Sequence, residues 1–319
     1  MSKVTSPDWQ EWLAWLGCPV CQGPLDPTQT GLYCPADDLD FPLQEGIFRL
    51  MPPGETAAAE AYAEEYREQR EAQGWRSLAA EELAALPDKA PAGWDSLYWP
   101  TRRQSYRALL GWLEEFEAQA GRPLRTAVMG AGSGWLAGHL AGRGQQIVAL
   151  DLSADAAFGL GAARDAAGAW AQPLLLVQAD MERPPLQPGQ VDLLIYSASL
   201  HYAVDLQQCL VNSAALLRPA GALVINDTPI LTGDFTRLPP EEGEPIRRGR
   251  QLPLVELEQA LADAGLDYDL RQVGRGWRWA FRQWRIRFFG GVNFSLPLIV
   301  ARPAAALATG PARPPASES

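Results

Sequence analysis

Residues 125–153 read RTAVMGAGSGWLAGHLAGRGQQIVALDLS. A short apolar run ends in Gly130-Ala131-Gly132-Ser133-Gly134, a helical segment follows, and a second apolar run ends in Asp151. The glycines let the backbone bend sharply and approach a ligand without a Cβ in the way. The helix behind the bend directs its unpaired N–H groups toward whatever sits in the turn. A carboxylate at the tip of the next strand can accept hydrogen bonds from both hydroxyls of a ribose. The stretch therefore predicts a site for a nucleoside-containing cofactor, formed by Gly130, Ala131, Gly132, Gly134, Asp151 and Leu152.

Working outward, strands and helices alternate from Arg122 onward. The pattern predicts strands over 124–129, 146–151, 173–178, 191–196 and 221–226, with helices over 135–142, 154–168 and 205–217. A helix (254–264) and two strands (267–273 and 294–301) follow. Such a βαβ rhythm implies a mainly parallel sheet covered by helices on both faces.

The loop spacing is G-x-G-x-G rather than the G-x-G-x-x-G favoured by dinucleotide sites. It resembles motif I of class I S-adenosylmethionine (SAM)-dependent methyltransferases, in which the loop faces a methionine moiety. LLLVQADMERPPL places Asp180 and Met181 just past the third strand, where the family binds adenine through a carboxylate and a backbone N–H. VDLLIYSASLHYAVD and LLRPAGALVINDTP resemble the fourth and fifth strands with their exits, and Ser197 joins the implied cofactor shell. The resemblance covers the C-terminal half and implies a Rossmann-like, seven-stranded α/β fold. One departure stands out: the family usually carries an acid two residues before the first glycine, and here that position is Val128.

His201 and Tyr202 follow the fourth strand, at the sheet end where open α/β folds place ligands. They are the candidate catalytic pair. An imidazole there can remove a proton from the acceptor, or it can simply line the pocket while proximity does the work.

The N-terminal region carries a second constellation. Cys18-Pro19-Val20-Cys21 is a knuckle in which two thiolates reach one zinc ion, and Cys34 lies at second-knuckle spacing. CPVCQGPL…YCPADDLDFPLQEGIFRLMP resembles the zinc ribbon that precedes certain methyltransferase domains, notably those of 23S rRNA (guanine-N1) methyltransferases. The fourth ligand there is His or Cys; here Asp37 and Asp38 stand at its place, and Asp38 has the gap of the rRNA enzymes' histidine. Cys18, Cys21, Cys34 and Asp38 are thus the expected metal set. The other reading is a metal-free ribbon held by Leu25, Leu32, Phe41, Leu43 and Ile47. Cys209, in a predicted helix, is expected to be buried and inert.

The 319 residues divide into four parts: an N-terminal helix and zinc-ribbon-like module (1–52), a helical connector or lid (53–121), the methyltransferase domain (122–302) and a disordered tail (303–319). Tyr98, Trp99 and Arg102 in the connector are expected to cover the pocket. Net charge −11 argues against a protein that coats nucleic acid through its overall field. No apolar run approaches a membrane span, and no signal-peptide pattern opens the chain, so a cytoplasmic protein is expected.

Against this acidic background, Arg271–Gly290 holds six arginines and no acids, with Trp277, Phe281 and Trp284 at i, i+4 and i+7. A base-stacking lid, a helix lying on lipid and an ordinary surface helix all fit that pattern. Two acceptor classes stay open: a small metabolite, for which an anionic group would suit the arginines, or ribosomal or transfer RNA. A non-catalytic SAM-binding scaffold is the reading from a different class.

Overall fold

The computed structural model describes residues 12–91, 94, 98–231, 250–277, 279–281, 284 and 294–304. The strands are β1 (Asp26–Pro27), β2 (Gly31–Cys34), β3 (Leu39–Gln44), β4 (Ile47–Arg49), β5 (Arg125–Met129), β6 (Gln146–Asp151), β7 (Leu175–Gln178), β8 (Val191–Ser197), β9 (Leu217–Asn226), β10 (Ile230–Leu231), β11 (Leu252–Pro253), β12 (Leu266–Arg271), β13 (Phe294–Ser295) and β14 (Leu298–Pro303). The helices are α1 (Thr56–Ala72), α2 (Ala80–Ala84), α3 (Tyr98–Ala120), α4 (Trp135–Ala141), α5 (Leu160–Asp165), α6 (Leu206–Leu216) and α7 (Leu254–Asp263).

Among the described residues, seven strands form the α/β part of the sheet in the order β7-β6-β5-β8-β9-β14-β12. β5 through β9 run parallel, and β14 lies antiparallel to both β9 and β12. Side chains along a strand alternate between faces, and the core divides accordingly. Met129, Leu150, Val177, Tyr196 and Ile225 join one cluster with α6, α7 and the N-terminal ribbon. Val128, Ala149, Leu176, Ile195 and Val224 join the other with α2, α3, α4 and α5. The near-continuous apolar strands thus reflect a sheet buried on both sides.

The ribbon is part of this sheet. β1, β2 and β3 form an antiparallel meander, β3 pairs with β4, and β4 runs parallel to β7 with Phe48 opposite Val177. Among the described residues the sheet therefore has eleven strands. At the opposite end of the strands, Asp192 accepts hydrogen bonds from the Arg122 guanidinium (2.8 and 2.7 Å) and the Arg125 N–H (2.9 Å), tying the entries of β5 and β8 together.

Three expected elements come out differently, the first being the strand expected over 294–301, which is divided into β13 and β14 in different sheets. The helix expected over 154–168 is only α5 and a short 3-10 turn at Ala167–Ala169. Asp155 Oδ1 accepts the N–H groups of Ala157 and Phe158 (2.8 Å each) and Ser153 Oγ accepts that of Asp155, so 153–158 is a capped turn. The connector breaks at Gly74, whose φ is +82°. The tail beyond residue 304 and residues 1–11, where the expected N-terminal helix begins, lie outside the described residues.

Candidate functional site

The cleft opens over the C-terminal ends of β5, β6, β7 and β8 and has two adjoining arms that share Tyr66, Gly130, Gly132, Phe158 and Ala198. The smaller arm, about 620 Å³, is lined by Asp151, Leu152, Ser153 and Met181 and closed by Tyr62, Tyr66 and Tyr202. The larger, about 880 Å³, runs past Val128, Ala131, Ser133 and Ser197 to the connector residues Arg70, Trp75, Trp94, Trp99 and Arg102.

The glycine bend is built as its residues require. Gly130, Gly132 and Gly134 have φ of +64°, +53° and +75°, in the left-handed region that costs side-chain-bearing residues energy. A Cβ on Gly130 would lie 2.5 Å from Ser199 Cβ, and one on Gly134 2.5 Å from Ala163 Cβ on α5. Asp151 does more than face the cleft. One carboxylate oxygen accepts the Gly132 N–H (2.7 Å) and the other the Ser153 N–H (2.8 Å), so a single residue pins both loops that frame the smaller arm. Two oxygens with about four lone-pair sites retain capacity for further donors.

At the far end of the smaller arm, Met181 lines the wall, whereas Asp180 is buried and its Oδ1 accepts the Glu182 N–H (2.9 Å). Val128, at the position where the family usually carries an acid, is buried against α3, α4 and α5 beneath the larger arm. Ser199 was not foreseen; its hydroxyl donates to the Met129 carbonyl (2.6 Å) and clamps the β5 and β8 exits together. Tyr62, Tyr66 and Arg70, at i, i+4 and i+8 on α1, were not foreseen either, since nothing in the sequence says what they face. Arg70 donates to Tyr66 Oη (2.8 Å) and Tyr202 Oη (3.3 Å), which closes the roof. Trp99 and Arg102 line the larger arm as expected; the side chain of Tyr98 lies outside the described residues.

His201 sits in the short turn Leu200–Tyr202, with its ring 4.4 Å from that of Tyr202. Its Nδ1 is buried without a hydrogen-bond partner. Burial first, then the Arg102 and Arg70 cations, push its pKa down to about 3, so it is neutral near pH 7. Tyr202 lines the smaller arm; His201 lies behind the lining.

The ribbon gathers Cys18, Cys21, Cys34 and Asp37, with one ligand atom from each within 4.8 Å of the others. This corrects the expectation of Asp38. Asp37 Oδ2 lies 3.1 Å from Cys18 Sγ and 3.3 Å from Cys34 Sγ, whereas Asp38, at φ +53°, turns outward and accepts the Tyr33 hydroxyl (2.8 Å). Cys34-x-x-Asp37 repeats the two-residue gap of Cys18-x-x-Cys21, and the structure follows that knuckle rather than the longer gap. Zinc–sulfur bonds of about 2.3 Å put tetrahedral thiolates about 3.8 Å apart. Cys21 and Cys34 sulfurs at 3.6 Å fit that spacing. Cys209 is buried on α6, 3.2 Å from the Tyr196 hydroxyl.

Of the basic-aromatic segment, Trp277, Phe281 and Trp284 are exposed, whereas Arg278, Arg282 and Arg285 lie outside the described residues. Among the described residues no helix is long and apolar enough to cross a membrane.

Residues 128–225 match the family model described as Methyltransferase domain, and residues 13–46 match that of Trm112p-like protein. No curated protein sequence matches the chain. Among solved structures it is similar to 1,6-didemethyltoxoflavin-N1-methyltransferase from Burkholderia thailandensis, with 19% identity over 83% of this chain and 93% of that one (TM-score 0.46). It is also similar to a SAM-dependent methyltransferase from Mesorhizobium loti (18% identity, 62% and 97% covered, TM-score 0.43). A third is magnesium protoporphyrin IX methyltransferase from Synechocystis PCC 6803 (15% identity, 70% and 90% covered, TM-score 0.45). Residues 128–225 thus match a methyltransferase domain, and the sheet that carries them is extended by strands of the segment that matches Trm112p-like protein.

Proposed function

We propose that the protein methylates a small-molecule acceptor held in the larger arm of the cleft. The observation that carries this reading is the concave, largely aromatic lining: Tyr66, Arg70, Trp75 and Trp99 wall the arm from the connector, which suits a small ligand better than a nucleic-acid surface. The cofactor's adenosine suits the smaller arm, with Asp151 toward the ribose and Met181 toward the adenine, next to buried Asp180. The backbone of Gly130, Ala131, Gly132 and Gly134, with Ser197, would meet its methionine end.

Bound SAM supplies a methyl group on a positively charged sulfur that leaves as a neutral thioether. The chain's task is therefore placement: the acceptor atom is held in line with that methyl while the roof excludes water. Tyr202 shapes the wall of the smaller arm, and neutral His201 lies buried behind that lining. Zinc at Cys18, Cys21, Cys34 and Asp37 would be structural, with all four positions filled by protein.

An RNA acceptor is favoured by one specific feature, the exposed Trp277, Phe281 and Trp284 in a segment rich in arginine. Incubation with methyl-labelled SAM and fractionated cell extract separates the two. Label in a small-molecule fraction, with binding nearly independent of salt, is expected. Label in RNA, with log affinity falling steeply against log salt, would overturn the proposal.

A further inference from the structure

The three sulfurs of the ribbon cluster sit in unlike surroundings. Cys18 and Cys34 are fully buried, whereas Cys21 is exposed. Gly23 keeps the space beside the exposed sulfur open, since a Cβ there would lie 3.2 Å from Cys21 Sγ. Behind Cys21, the sulfur of Cys34 is 3.6 Å away. Cys18 Sγ is engaged on another side, where it accepts the Val20 N–H (3.3 Å) and lies 3.1 Å from Asp37 Oδ2. An exposed sulfur backed by a buried one is the arrangement of an attacking and a resolving thiol. A disulfide holds its sulfurs about 2.05 Å apart, so this pair has roughly 1.5 Å to close. Cys21 lies at the tip of a turn closed by the hydrogen bonds Gln22 N–H to Cys18 O and Cys18 N–H to Gly23 O (2.9 Å each). The movement therefore falls on a surface turn rather than on the buried end of β2.

The carboxylate in the cluster sharpens the consequence of joining them. With Asp37 as one of the four ligands the site has three sulfurs, so one disulfide leaves a single thiolate, Cys18, beside Asp37. Two ligands, one of them a hard oxygen, do not hold a zinc ion as four do. Oxidation of this pair and loss of the metal are thus one event.

Each of the two cysteines is also the start of a path to the smaller arm. From Cys21 the knuckle runs back to Gly17, whose N–H donates to the Pro185 carbonyl (2.9 Å) just past Met181. Cys34 ends β2 opposite Leu39 of β3, β3 pairs with β4, and β4 pairs with β7. There Arg49 donates to Gln178 Oε1 (2.7 Å), and the Gln178 amide donates to the carbonyl of Leu152 (3.0 Å) in the arm's wall. Drawing the two sulfurs together while Cys18 and Asp37 lose their common metal disturbs both paths at their origin.

We infer that Cys21 and Cys34 form a site of reversible oxidation, at which a hydroperoxide links the two sulfurs, the metal is released and the smaller arm loses affinity for the cofactor. In the metal-bound cluster both sulfurs are thiolates, the reactive form. The Cys21 thiolate attacks one peroxide oxygen, the O–O bond breaks, and the leaving hydroxide takes a proton from solvent to become water. Cys21 is then a sulfenic acid. The Cys34 thiolate attacks its sulfur, the S–S bond forms, and a second hydroxide leaves and is protonated. The sulfurs together give up two electrons, and the peroxide is reduced to two waters. A dithiol reverses the step by exchange and lets the cluster refill. The step is independent of which acceptor is methylated.

The test uses the full chain loaded with zinc. Hydrogen peroxide is added stepwise while a chromogenic chelator reports free zinc and a thiol reagent counts free cysteines. Release of about one zinc with loss of about two thiols per chain is expected. Peptide mass spectrometry should find Cys21 joined to Cys34, with buried Cys209 unmodified. By calorimetry the oxidised protein should bind S-adenosylhomocysteine at least about fivefold more weakly, and dithiothreitol with added zinc should restore both zinc and affinity. A chain that takes up no zinc, zinc retained against excess peroxide, or thiols lost only as sulfinic and sulfonic acids would overturn the proposal. A link between Cys18 and Cys21 would overturn the pairing. Unchanged affinity for S-adenosylhomocysteine in the oxidised protein would overturn the effect on the cofactor. Reduced protein that does not bind S-adenosylhomocysteine would count against the cofactor reading instead, and the zinc and thiol measurements still decide the disulfide.

Discussion

Replacing Gly130 by alanine tests the glycine bend directly. Two costs arise at this position. The backbone φ of +64° is strained for a residue with a Cβ, which costs about 1 kcal/mol. The new methyl would also lie 2.5 Å from Ser199 Cβ, far inside the roughly 3.5–4.0 Å of carbon–carbon contact. Ser199 cannot easily retreat, since it is buried and its hydroxyl holds the Met129 carbonyl at 2.6 Å. Overpacking of this kind adds about 1–3 kcal/mol, for a total of roughly 2–4 kcal/mol. Gly144 separates the two contributions. Its φ is +84°, but nothing lies within 4 Å of a Cβ there, so Gly144→Ala should cost only the conformational part, about 1 kcal/mol. Urea unfolding midpoints give the stabilities, and calorimetry gives the affinity for S-adenosylhomocysteine. Gly130→Ala is expected to be the less stable variant and to bind at least about tenfold more weakly, whereas Gly144→Ala binds as the wild type does. Equal destabilisation by the two substitutions, or unchanged affinity in Gly130→Ala, would refute the placement of this bend against the cofactor.

Asp151→Asn should weaken S-adenosylhomocysteine binding by about 10–100-fold, because an amide N–H₂ would then face the N–H of Gly132 or Ser153; calorimetry showing less than a tenfold change would contradict the role of Asp151 as anchor. Asp37→Ala should lower bound zinc, measured by elemental analysis of the purified protein, while Asp38→Ala retains it, and the reverse pattern would restore the longer gap as the ligand spacing. His201 is held neutral in the folded chain with a pKa near 3 but titrates near 6.5 when unfolded, so the unfolded state takes up the proton first. The stability it contributes is therefore complete above about pH 6.5 and falls as pH drops toward 3, by about 2 kcal/mol at pH 5. His201→Gln should flatten the slope of unfolding free energy between pH 7 and 5, and identical slopes would show that the imidazole is not buried as described.

What the sequence made legible was whatever short-range chemistry controls. β6 falls where the apolar pattern placed it, and the ends of β5 and β8 lie within a residue, because strands buried on both faces are bounded sharply by Gly, Pro and Asp. α5 was overestimated because an alanine-rich stretch reads as helix, whereas Ser153 and Asp155 divert its first residues into side-chain-capped turns. The glycine bend, Asp151 and Met181 converge on one cleft, as the motif spacing implied. The larger arm could not be read in the same way. Arg70, Trp75, Trp94, Trp99, Arg102 and Asp227 come from separate segments with no common period, and only tertiary packing assembles them. The choice between Asp37 and Asp38 turned on one residue of spacing, which is settled by the backbone of the turn rather than by residue type.

The joining of ribbon and sheet was equally invisible, since β4 is only three residues long, yet it bears directly on the site. Without β4, β7 would be an exposed edge beside the adenosine arm. Instead Arg49 donates to Gln178 Oε1 (2.7 Å), and the Gln178 amide donates to the carbonyl of Leu152 (3.0 Å), a residue of the cofactor loop. On the other flank, the Gly17 N–H donates to the Pro185 carbonyl (2.9 Å), just past Asp180 and Met181 and one residue from the Cys18 knuckle. Trp15, Leu16, Leu32 and Phe41 share their hydrophobic cluster with Met129, Leu150 and Val177. Burying four such side chains is worth roughly 6–12 kcal/mol in transfer terms, as large as the net stability of a typical domain, about 5–15 kcal/mol. The ribbon therefore buttresses the loops that frame the smaller arm. A metal held at its knuckle would stiffen the loops on both sides of the smaller arm, and the α/β sheet and the module should unfold together.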